Sequence, residues 1–372
     1  MWRGKAVGQV TISVKQFTIL VIMYTLGSSA LVIPSTLTTF AKSNAWISSI
    51  IALGFGVLFV FLFSRISVVY PEKTFVEINQ IVFGKWIGNL SSLLFMLPIF
   101  LTTVGNLREI GDFFTTQVMV DTPIHAIHIL VLITAIYCIR AGLEVMARTC
   151  EIFFPWTAIF LVILILFLIP EMKLENLNPN FAKGMGPIIG AAYTYICLPF
   201  SQLVVFLMIL PNVKKIPKAR KFFFLGVIVG GIGISLITSL CLGVLGHDFT
   251  SRNMYPTYVL GKMINIGGFI ERVEVLVAIS WVFTIFFKLL VNTYALILGM
   301  TQILKMNDYK PLSFPIGFLL MVFSMTNYPN IVYFSEFTFE VWPLYSLTFF
   351  LFLPLIVYIV SLVKSKVIGK GS

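Results

Sequence analysis

Charged residues are scarce in this sequence. Asp, Glu, Lys and Arg make up 11% of the 372 residues, whereas 58% are hydrophobic. A soluble domain usually carries roughly 25% charged residues, and a water-soluble fold could not cover this much apolar surface. The composition therefore argues against a soluble enzyme, a nucleic-acid binder or a secreted scaffold. It predicts an integral membrane protein.

Residues that carry catalytic or metal chemistry are also few. The sequence has no Walker loop, nucleophile elbow or pair of catalytic carboxylates. The three histidines are isolated, and the four cysteines form no CxxC pair and lie mostly in apolar runs. We therefore expect no enzyme activity, no catalytic residues, no metal site and no cofactor.

Ten charge-poor runs are long enough to cross about 30 Å of hydrocarbon as helices. In the first half they cover residues 16–41, 43–64, 86–107, 122–139 and 152–170. In the second half they cover residues 184–213, 222–247, 275–304, 311–335 and 341–363. Membrane barrel strands would be short and alternating. The sequence thus predicts an all-α membrane protein of about ten transmembrane helices, forming a single integral membrane domain over residues 1–372.

The distribution of Lys and Arg predicts the orientation of these helices. If the N-terminus is inside, 18 of the 26 basic residues fall in inner segments and six in outer segments. Cytoplasmic loops of membrane proteins are enriched in Lys and Arg. We therefore expect both termini to be cytoplasmic.

An inverted repeat follows from the number of runs. Each half has five runs, and because five is odd, the second half would enter the membrane upside down relative to the first. We place the first repeat at about residues 12–170 and the second at about 184–364. Runs 1 and 6 have matching interruptions, with Gly27 and Pro199 near the middle of each. We expect both helices to be broken there.

The two predicted breaks favour a zwitterionic ligand. A broken helix frees backbone groups in the membrane, and these must find a partner in the protein or a ligand. The N-terminal end of a half-helix suits a carboxylate, and its C-terminal end suits a cation. An amino acid carries both charges. The alternative is that Gly and Pro only kink or pack these helices, as we expect for Gly226 and Gly230.

Ionisable residues inside the predicted spans are candidates for function. Lys288 lies near the middle of the eighth run, where a charge is costly and usually faces a cavity or a partner; the alternative is a stem that reaches an interface. Arg108 and Asp112 are four residues apart, and we expect them to form a structural pair. Glu271 and Arg272 are expected at the outer start of the eighth helix.

The sequence also predicts the structure of two connecting segments. The apolar residues of segment 72–86 fall roughly on one helical face, which predicts a short helix on the inner membrane surface or a plain connecting helix. Segment 243–268 is polar and rich in glycine, and it is predicted to be an outer loop, with or without a short helix.

Several short segments, taken together with their order and spacing, resemble those of a known family over nearly the whole chain. They are Ile12-Ser-Val-Lys-Gln16, Leu26-Gly-Ser-Ser-Ala-Leu-Val-Ile-Pro34, Leu107-Arg108, Thr122-Pro123, Gly142-Leu-Glu-Val-Met-Ala-Arg148, Leu174-Glu-Asn-Leu, Tyr255-Pro256 and Gly268-Phe-Ile-Glu-Arg-Val-Glu274. The chain resembles the endospore germination permease family, the B subunit of GerA-type nutrient germinant receptors. That family belongs to the amino acid–polyamine–organocation superfamily, which implies a LeuT-like fold.

The resemblance implies a function, partners and a site. Such subunits lie in the inner membrane of the spore, bind a small nutrient germinant, often an amino acid, and act with an A subunit and a lipoprotein C subunit. The superfamily binds its ligand between helices 1, 3, 6 and 8. Carried onto this sequence, the ligand-binding residues are Gly27, Ser28, Ser29, Val104, Tyr195, Leu198, Pro199, Thr284 and Lys288.

Two other functions remain open at this point. A proton-coupled amino-acid transporter would share the fold, the helix breaks and the buried lysine. A channel-like subunit that conducts water or ions would need a continuous polar lining along the bundle axis.

Overall fold

The computed structural model describes residues 11–264 and 273–368, and these residues are almost entirely helical. The first half contains α1 (Val14–Leu26), α2 (Ser29–Ala41), α3 (Ala45–Val69), α4 (Phe75–Phe83), α5 (Lys85–Phe113), α6 (Ile124–Ala141) and α7 (Leu143–Leu168). The second half contains α8 (Gly186–Tyr195), α9 (Ile216–Arg252), α10 (Pro256–Met263), α11 (Glu274–Leu304), α12 (Ser313–Thr326), α13 (Ile331–Glu336), α14 (Trp342–Leu347) and α15 (Leu353–Ile368).

Tighter and wider helical turns connect or extend these helices. The 3-10 segments are Lys42–Asn44, Ile169–Glu171, Leu174–Leu177, Ser201–Met208, Leu210–Asn212 and Lys310–Leu312. The π-helical segments are Phe114–Val118, Ile196–Phe200, Phe337–Val341 and Thr348–Phe352. Within the described residues, the β structure is limited to one parallel bridge between Ile12 and Val213.

The helices account for ten membrane crossings. Eight continuous helical stretches in the described part of the chain are long and apolar enough to span a membrane. One of them, Ser29–Val69, has 41 residues; at 1.5 Å per residue it would measure about 60 Å, which is twice the hydrocarbon thickness. It therefore contains two crossings. The first of these two crossings also includes the preceding short helix Val14–Leu26, and the short apolar helix Lys310–Thr326 adds the tenth crossing.

We number the crossings as spans. Span 1 is α1 with α2, span 2 is α3, span 3 begins with α5, and spans 4 and 5 are α6 and α7. Span 6 begins with α8, spans 7, 8 and 9 are α9, α11 and α12, and span 10 runs from α13 to α15. The predicted all-α fold of about ten transmembrane helices is confirmed. The bounds of the two repeats stay a prediction.

Span 1 is defined at both ends by its sequence. A capping box starts α1: the Ser13 hydroxyl accepts a bond from the Gln16 amide, and the Gln16 side chain accepts one from the Ser13 amide. The helix stops at Gly27, whose φ of 17° and ψ of −125° leave the helical region. The break is therefore at the predicted residue.

Glycines on span 7 allow close contact with span 1. A Cβ atom on Gly226 would lie 2.8 Å from the Val21 side chain, and one on Gly230 would lie 2.7 Å from Thr25. The predicted packing role of this glycine pair is confirmed, because small residues let two membrane helices approach closely. Span 7 thus supports α1, the part of span 1 that precedes the break.

The two connections differ in how well they match expectation. The first contains α4, which is capped by Thr74 and Glu77 and buries Phe75, Ile78 and Val82 against the bundle. It is therefore a packed connecting helix.

The second connection is more helical than the predicted outer loop. Span 7 continues to Arg252 through a kink at Gly246, where φ is 75° and ψ is 167°, and α10 follows. The Thr250 hydroxyl donates to the Gly246 and Cys241 carbonyls, so polar side chains satisfy the backbone at this kink. Glu271 and Arg272 lie outside the described residues.

Candidate functional site

The break in span 1 lies directly against span 8. The Thr284 hydroxyl donates to the carbonyl of Gly27 at 3.2 Å. A Cβ atom on Gly27 would lie only 2.6 Å from Cδ of Lys288 and 2.7 Å from the carbonyl oxygen of Tyr24. The chain can therefore pass this point only because residue 27 has no side chain.

Lys288 is held at this break. Its side chain is buried, with 1% of the residue exposed. Its Nζ donates to the Ser28 hydroxyl at 2.9 Å and lies 5.4 Å from the centroid of the Tyr24 ring. The Tyr24 hydroxyl donates in turn to Asn292 at 2.9 Å. The lysine thus faces the interior of the bundle, and its stem does not reach an interface.

The interruption of span 6 lies where it was predicted. The backbone stays helical there and changes only its type of helix, so no extended segment separates two half-helices. The helix passes from α (Gly186–Tyr195) to π (Ile196–Phe200) and then to 3-10 (Ser201–Met208), and Pro199 lies in the π segment. The carbonyl of Cys197 accepts bonds from Ser201, Trp342 and Ser346. Because span 10 supplies two of these donors, this freed backbone group is satisfied by protein.

A central cavity lies between these two interruptions. It encloses about 390 Å³ of non-protein space, including its open side. Spans 1, 3, 6, 8 and 10 and the turn before span 10 all contribute to its wall. The lining residues are Ser28, Leu101, Thr102, Gly105, Asn106, Glu109, Leu198, Gln202, Lys288, Tyr328, Phe334, Phe337, Thr338 and Trp342.

Two further cavities continue from the central one along α2. The first shares Ser28 and Glu109 with the central cavity and adds Ser29 and Met254. The second shares Met254 with the first and extends to Arg252, beside the end of span 7. The central cavity is thus followed by a series of spaces toward the end of span 1 that the charge distribution predicts to be outer.

The predicted site residues are only partly brought together in the cavity wall. Ser28, Leu198 and Lys288 line the central cavity, and Ser29 lines the adjoining one. Gly27 lies behind Lys288.

Thr284 lies on the other side of the break. It lines a separate apolar cavity beside Trp281, and its hydroxyl bond to the Gly27 carbonyl connects it to the break.

Three further predicted residues are not in the cavity wall. Val104 is buried, but the neighbouring Gly105 lines the cavity on span 3. Adjacent helical residues point in directions about 100° apart, so the face of span 3 was misplaced by one position. Tyr195 packs on Phe200 with 5.1 Å between ring centroids. Pro199 is buried within the π segment.

The sequence reasoning missed the acid of the site. Arg108 donates from Nε to both carboxylate oxygens of Asp112 at 2.9 Å, as predicted, and from Nη1 to the carbonyl of Tyr328. This arrangement leaves Glu109, the next residue, turned into the central cavity. The signal was present, since the predicted pairing of Arg108 with Asp112 leaves Glu109 as a carboxylate without a partner inside a membrane span.

The start of span 10 was also misplaced. The predicted ninth run extended to residue 335, but α12 ends at Thr326 and the last crossing begins at Ile331. The Asn330 side chain accepts a bond from the amide of Tyr333 and so caps the start of α13. Residues 331–340, which the prediction gave to the ninth run or to the connection after it, therefore belong to span 10. Span 10 brings an aromatic wall to the cavity, formed by Phe334, Phe337 and Trp342.

Comparison with known proteins places this architecture in a family. A model of the family described as spore germination protein matches residues 11–332. The chain belongs to this family of spore germination permeases. Spore germination protein KB of Bacillus subtilis (strain 168) is 29% identical over 362 residues, which cover 95% of each chain. Spore germination protein YndE of the same organism is 29% identical over 324 residues, which cover 86% of this chain and 87% of the relative.

Solved structures share the fold of this germination permease. MhsT in complex with L-phenylalanine aligns with a TM-score of 0.64 and 13% identity, over 93% of this chain and 97% of that one. Mhp1, a nucleobase-cation-symport-1 family transporter in a closed conformation with bromovinylhydantoin bound, aligns with a TM-score of 0.66 and 10% identity, over 90% of this chain and 76% of that one. These alignments confirm the predicted LeuT-like fold.

Proposed function

We propose that this protein is the nutrient-sensing B subunit of a spore germination receptor. It would bind a small nutrient, of the amino-acid class, in the central cavity. Its partners would be an A subunit and a lipoprotein C subunit in the spore inner membrane, with both of its own termini cytoplasmic. The observation that carries this proposal is the central cavity at the break of span 1, found in a chain of the germination family.

The position of the cavity supports a sensing role. Its wall combines the half-helix junction at Ser28, the buried Lys288 and an aromatic surface from span 10. Sites of this kind, with a few polar groups in a largely apolar wall, are typical of small-molecule binding. A ligand here would contact five spans at once. It could therefore favour one arrangement of the bundle over another.

Ligand binding would act by shifting an equilibrium. A ligand changes the balance between two arrangements only by the difference in its affinity for them. Closure of span 1 and span 6 over a bound nutrient would supply that difference, and the partner subunits would respond to the arrangement that the ligand favours.

The proposal is tested in spores that lack this gene. Germination is measured against single nutrients after the gene is restored as wild type, as Gly27→Ala or as Gly54→Ala. Gly27→Ala would push against Lys288 and Tyr24, whereas a Cβ atom on Gly54 meets nothing within 4 Å. We expect loss of response to one nutrient in the deletion strain, rescue by wild type and by Gly54→Ala, and a raised nutrient requirement with Gly27→Ala.

Two results would contradict the proposal. If a strain that lacks this gene and its paralogues germinates on every tested nutrient to the same extent whether or not this gene is restored, the protein is not a nutrient sensor. If Gly27→Ala behaves like Gly54→Ala in every dose response, the central cavity is not the sensing site.

The fold also favours a second candidate function. The structural neighbours include a transporter with the same architecture, and a buried lysine in a membrane span is a common feature of transport sites. A proton-coupled amino-acid transporter would accumulate labelled amino acid in proteoliposomes when a pH gradient is imposed. Absence of uptake by a preparation that binds the amino acid would eliminate this candidate.

A further inference from the structure

The central cavity contains two opposite charges that do not touch. Glu109 on span 3 and Lys288 on span 8 both line it, with 6% and 1% of each residue exposed. Their side chains face the same cavity, yet they form no ion pair within 4.0 Å. Burying a charge is costly unless it is paired and hydrogen-bonded. This separated pair therefore calls for a third group between the two side chains.

Neighbouring residues do not supply that group. Arg108 directs its guanidinium at Asp112 and the carbonyl of Tyr328, so it does not pair with Glu109. The Oε1 atom of Glu109 is buried without a hydrogen-bond partner. Lys288 has Ser28 as its hydrogen-bond acceptor, but an ammonium group has three protons to donate.

Two amides in the same wall repeat this pattern. The Nδ2 atom of Asn106 and the Oε1 atom of Gln202 are buried without partners, and both residues line the central cavity. The cavity thus presents two acceptors, Glu109 and Gln202, and two donors, Lys288 and Asn106. This set is complementary to a molecule that carries both an ammonium and a carboxylate group.

We propose that these four side chains bind the head group of a free α-amino acid, with its ammonium on Glu109 and Gln202 and its carboxylate on Lys288 and Asn106. The assignment rests on the proposed nutrient-sensing function and identifies how the site selects its ligand. A sugar or a nucleoside would leave both buried charges without a counter-charge. A zwitterion neutralises each of them and adds no net charge to the membrane interior.

The rest of the wall selects the side chain of the amino acid. Beyond the head-group residues, the cavity is faced by Phe334, Phe337 and Trp342, and its only charged lining residues are Glu109 and Lys288. A charged ligand side chain would find no partner among these rings. The ligand class is therefore an α-amino acid with an uncharged, apolar side chain.

The test uses the purified full-length protein in lipid nanodiscs and isothermal titration calorimetry. The probes are L-alanine, L-leucine and L-phenylalanine, followed by the amide and the deaminated acid of whichever binds best. The amide lacks the carboxylate charge, and the deaminated acid lacks the ammonium group. Wild type should bind the amino acid at least about tenfold more tightly than either analogue, since a hydrogen bond to a charged group contributes about that factor or more.

Two variants assign the contacts. Glu109→Gln should weaken amino-acid binding by roughly tenfold to a hundredfold and leave binding of the deaminated acid unchanged. Lys288→Met should give the mirror image, with binding of the amide unchanged. Glu340→Gln on span 10 is the matched control, because Glu340 is exposed and does not line the cavity; its affinities should equal those of wild type.

The proposal is overturned if Glu109→Gln weakens the binding of the amino acid and of the deaminated acid by the same factor. It is overturned as well if the amide binds to wild type as tightly as the amino acid does. It is also overturned if wild type binds none of the three amino acids. In that last case the nutrient-sensing role still stands when the gene confers germination on a nutrient that is not a zwitterion, and only the amino-acid class of the ligand is wrong. If a variant elutes as an aggregate in size-exclusion chromatography, the affinities of wild type for the amino acid, its amide and its deaminated acid decide the question alone.

Discussion

The buried ion pair on span 3 gives the sharpest test of how this bundle is held together. Only 10% of the Arg108 side chain and 6% of that of Asp112 are exposed, and the arginine also donates to the carbonyl of Tyr328 at 2.5 Å. Tyr328 lies just before span 10. The pair therefore connects span 3 to the segment that carries the aromatic wall of the central cavity.

Asp112→Asn removes the negative charge and keeps the shape of the side chain. Loss of one partner of a buried pair costs about 3–5 kcal/mol, because the other charge stays buried. The asparagine can still accept one bond from Arg108, so we expect a loss of about 2–4 kcal/mol in the free energy of unfolding. The measurement is unfolding by sodium dodecyl sulfate in mixed micelles, followed by tryptophan fluorescence.

A double variant separates the pair from its surroundings. Arg108→Met with Asp112→Leu removes both charges and leaves only the Tyr328 carbonyl without its donor, which costs about 1–3 kcal/mol. The double variant should therefore lose much less than the sum of the two single variants. Glu144→Gln is the control, because the Glu144–Arg148 pair has the same spacing but is exposed and should contribute less than about 1 kcal/mol. Additive losses in the double variant would refute the reasoning.

Three further predictions use the same unfolding measurement. Gly230→Ala should cost about 1–3 kcal/mol, because its new Cβ would lie 2.7 Å from a side chain of span 1; Gly190→Ala, with nothing within 4 Å, should cost nothing measurable. Ser346→Ala should cost about 1 kcal/mol, because it removes a donor from the carbonyl freed in the π segment of span 6; no loss would show that the remaining donors suffice. Glu151→Gln should change the free energy of unfolding by less than about 1 kcal/mol, because its partner Lys15 is mostly exposed. A larger loss would show that this ion pair stabilises the start of span 1.

The features that the sequence predicted correctly are those set by strong physical constraints. The thickness of the hydrocarbon fixes the length of an apolar helix, so the number of spans followed from run lengths. Gly27 was identified because few residues can leave the helical region in the middle of a span. Arg108 and Asp112 were paired because a spacing of four residues places them on the same face of a helix.

The features that the sequence did not predict have no such constraint. Val104 and Gly105 are adjacent, small and uncharged, so their residue types did not tell which of them faces the cavity. Aromatic residues suit lipid as well as a binding site, so nothing in the pattern around Phe337 marked it as part of a wall. Pro199 marks an interruption in span 6, but it does not specify whether the backbone unwinds or changes its pitch.

The pitch of span 6 has a mechanical consequence. The 3-10 segment Ser201–Met208 has eight residues, and at about 2.0 Å per residue it is about 16 Å long, whereas an α-helix of the same residues would be about 12 Å long. Rewinding this segment would therefore shorten span 6 by about 4 Å. Its far end is followed by a parallel bridge between Val213 and Ile12. In this bridge the Ile12 amide donates to the Asn212 carbonyl and the Lys214 amide donates to the Ile12 carbonyl, which ties the chain to the start of span 1. A change of pitch beside the cavity would thus act as a pull on the first residues of the bundle.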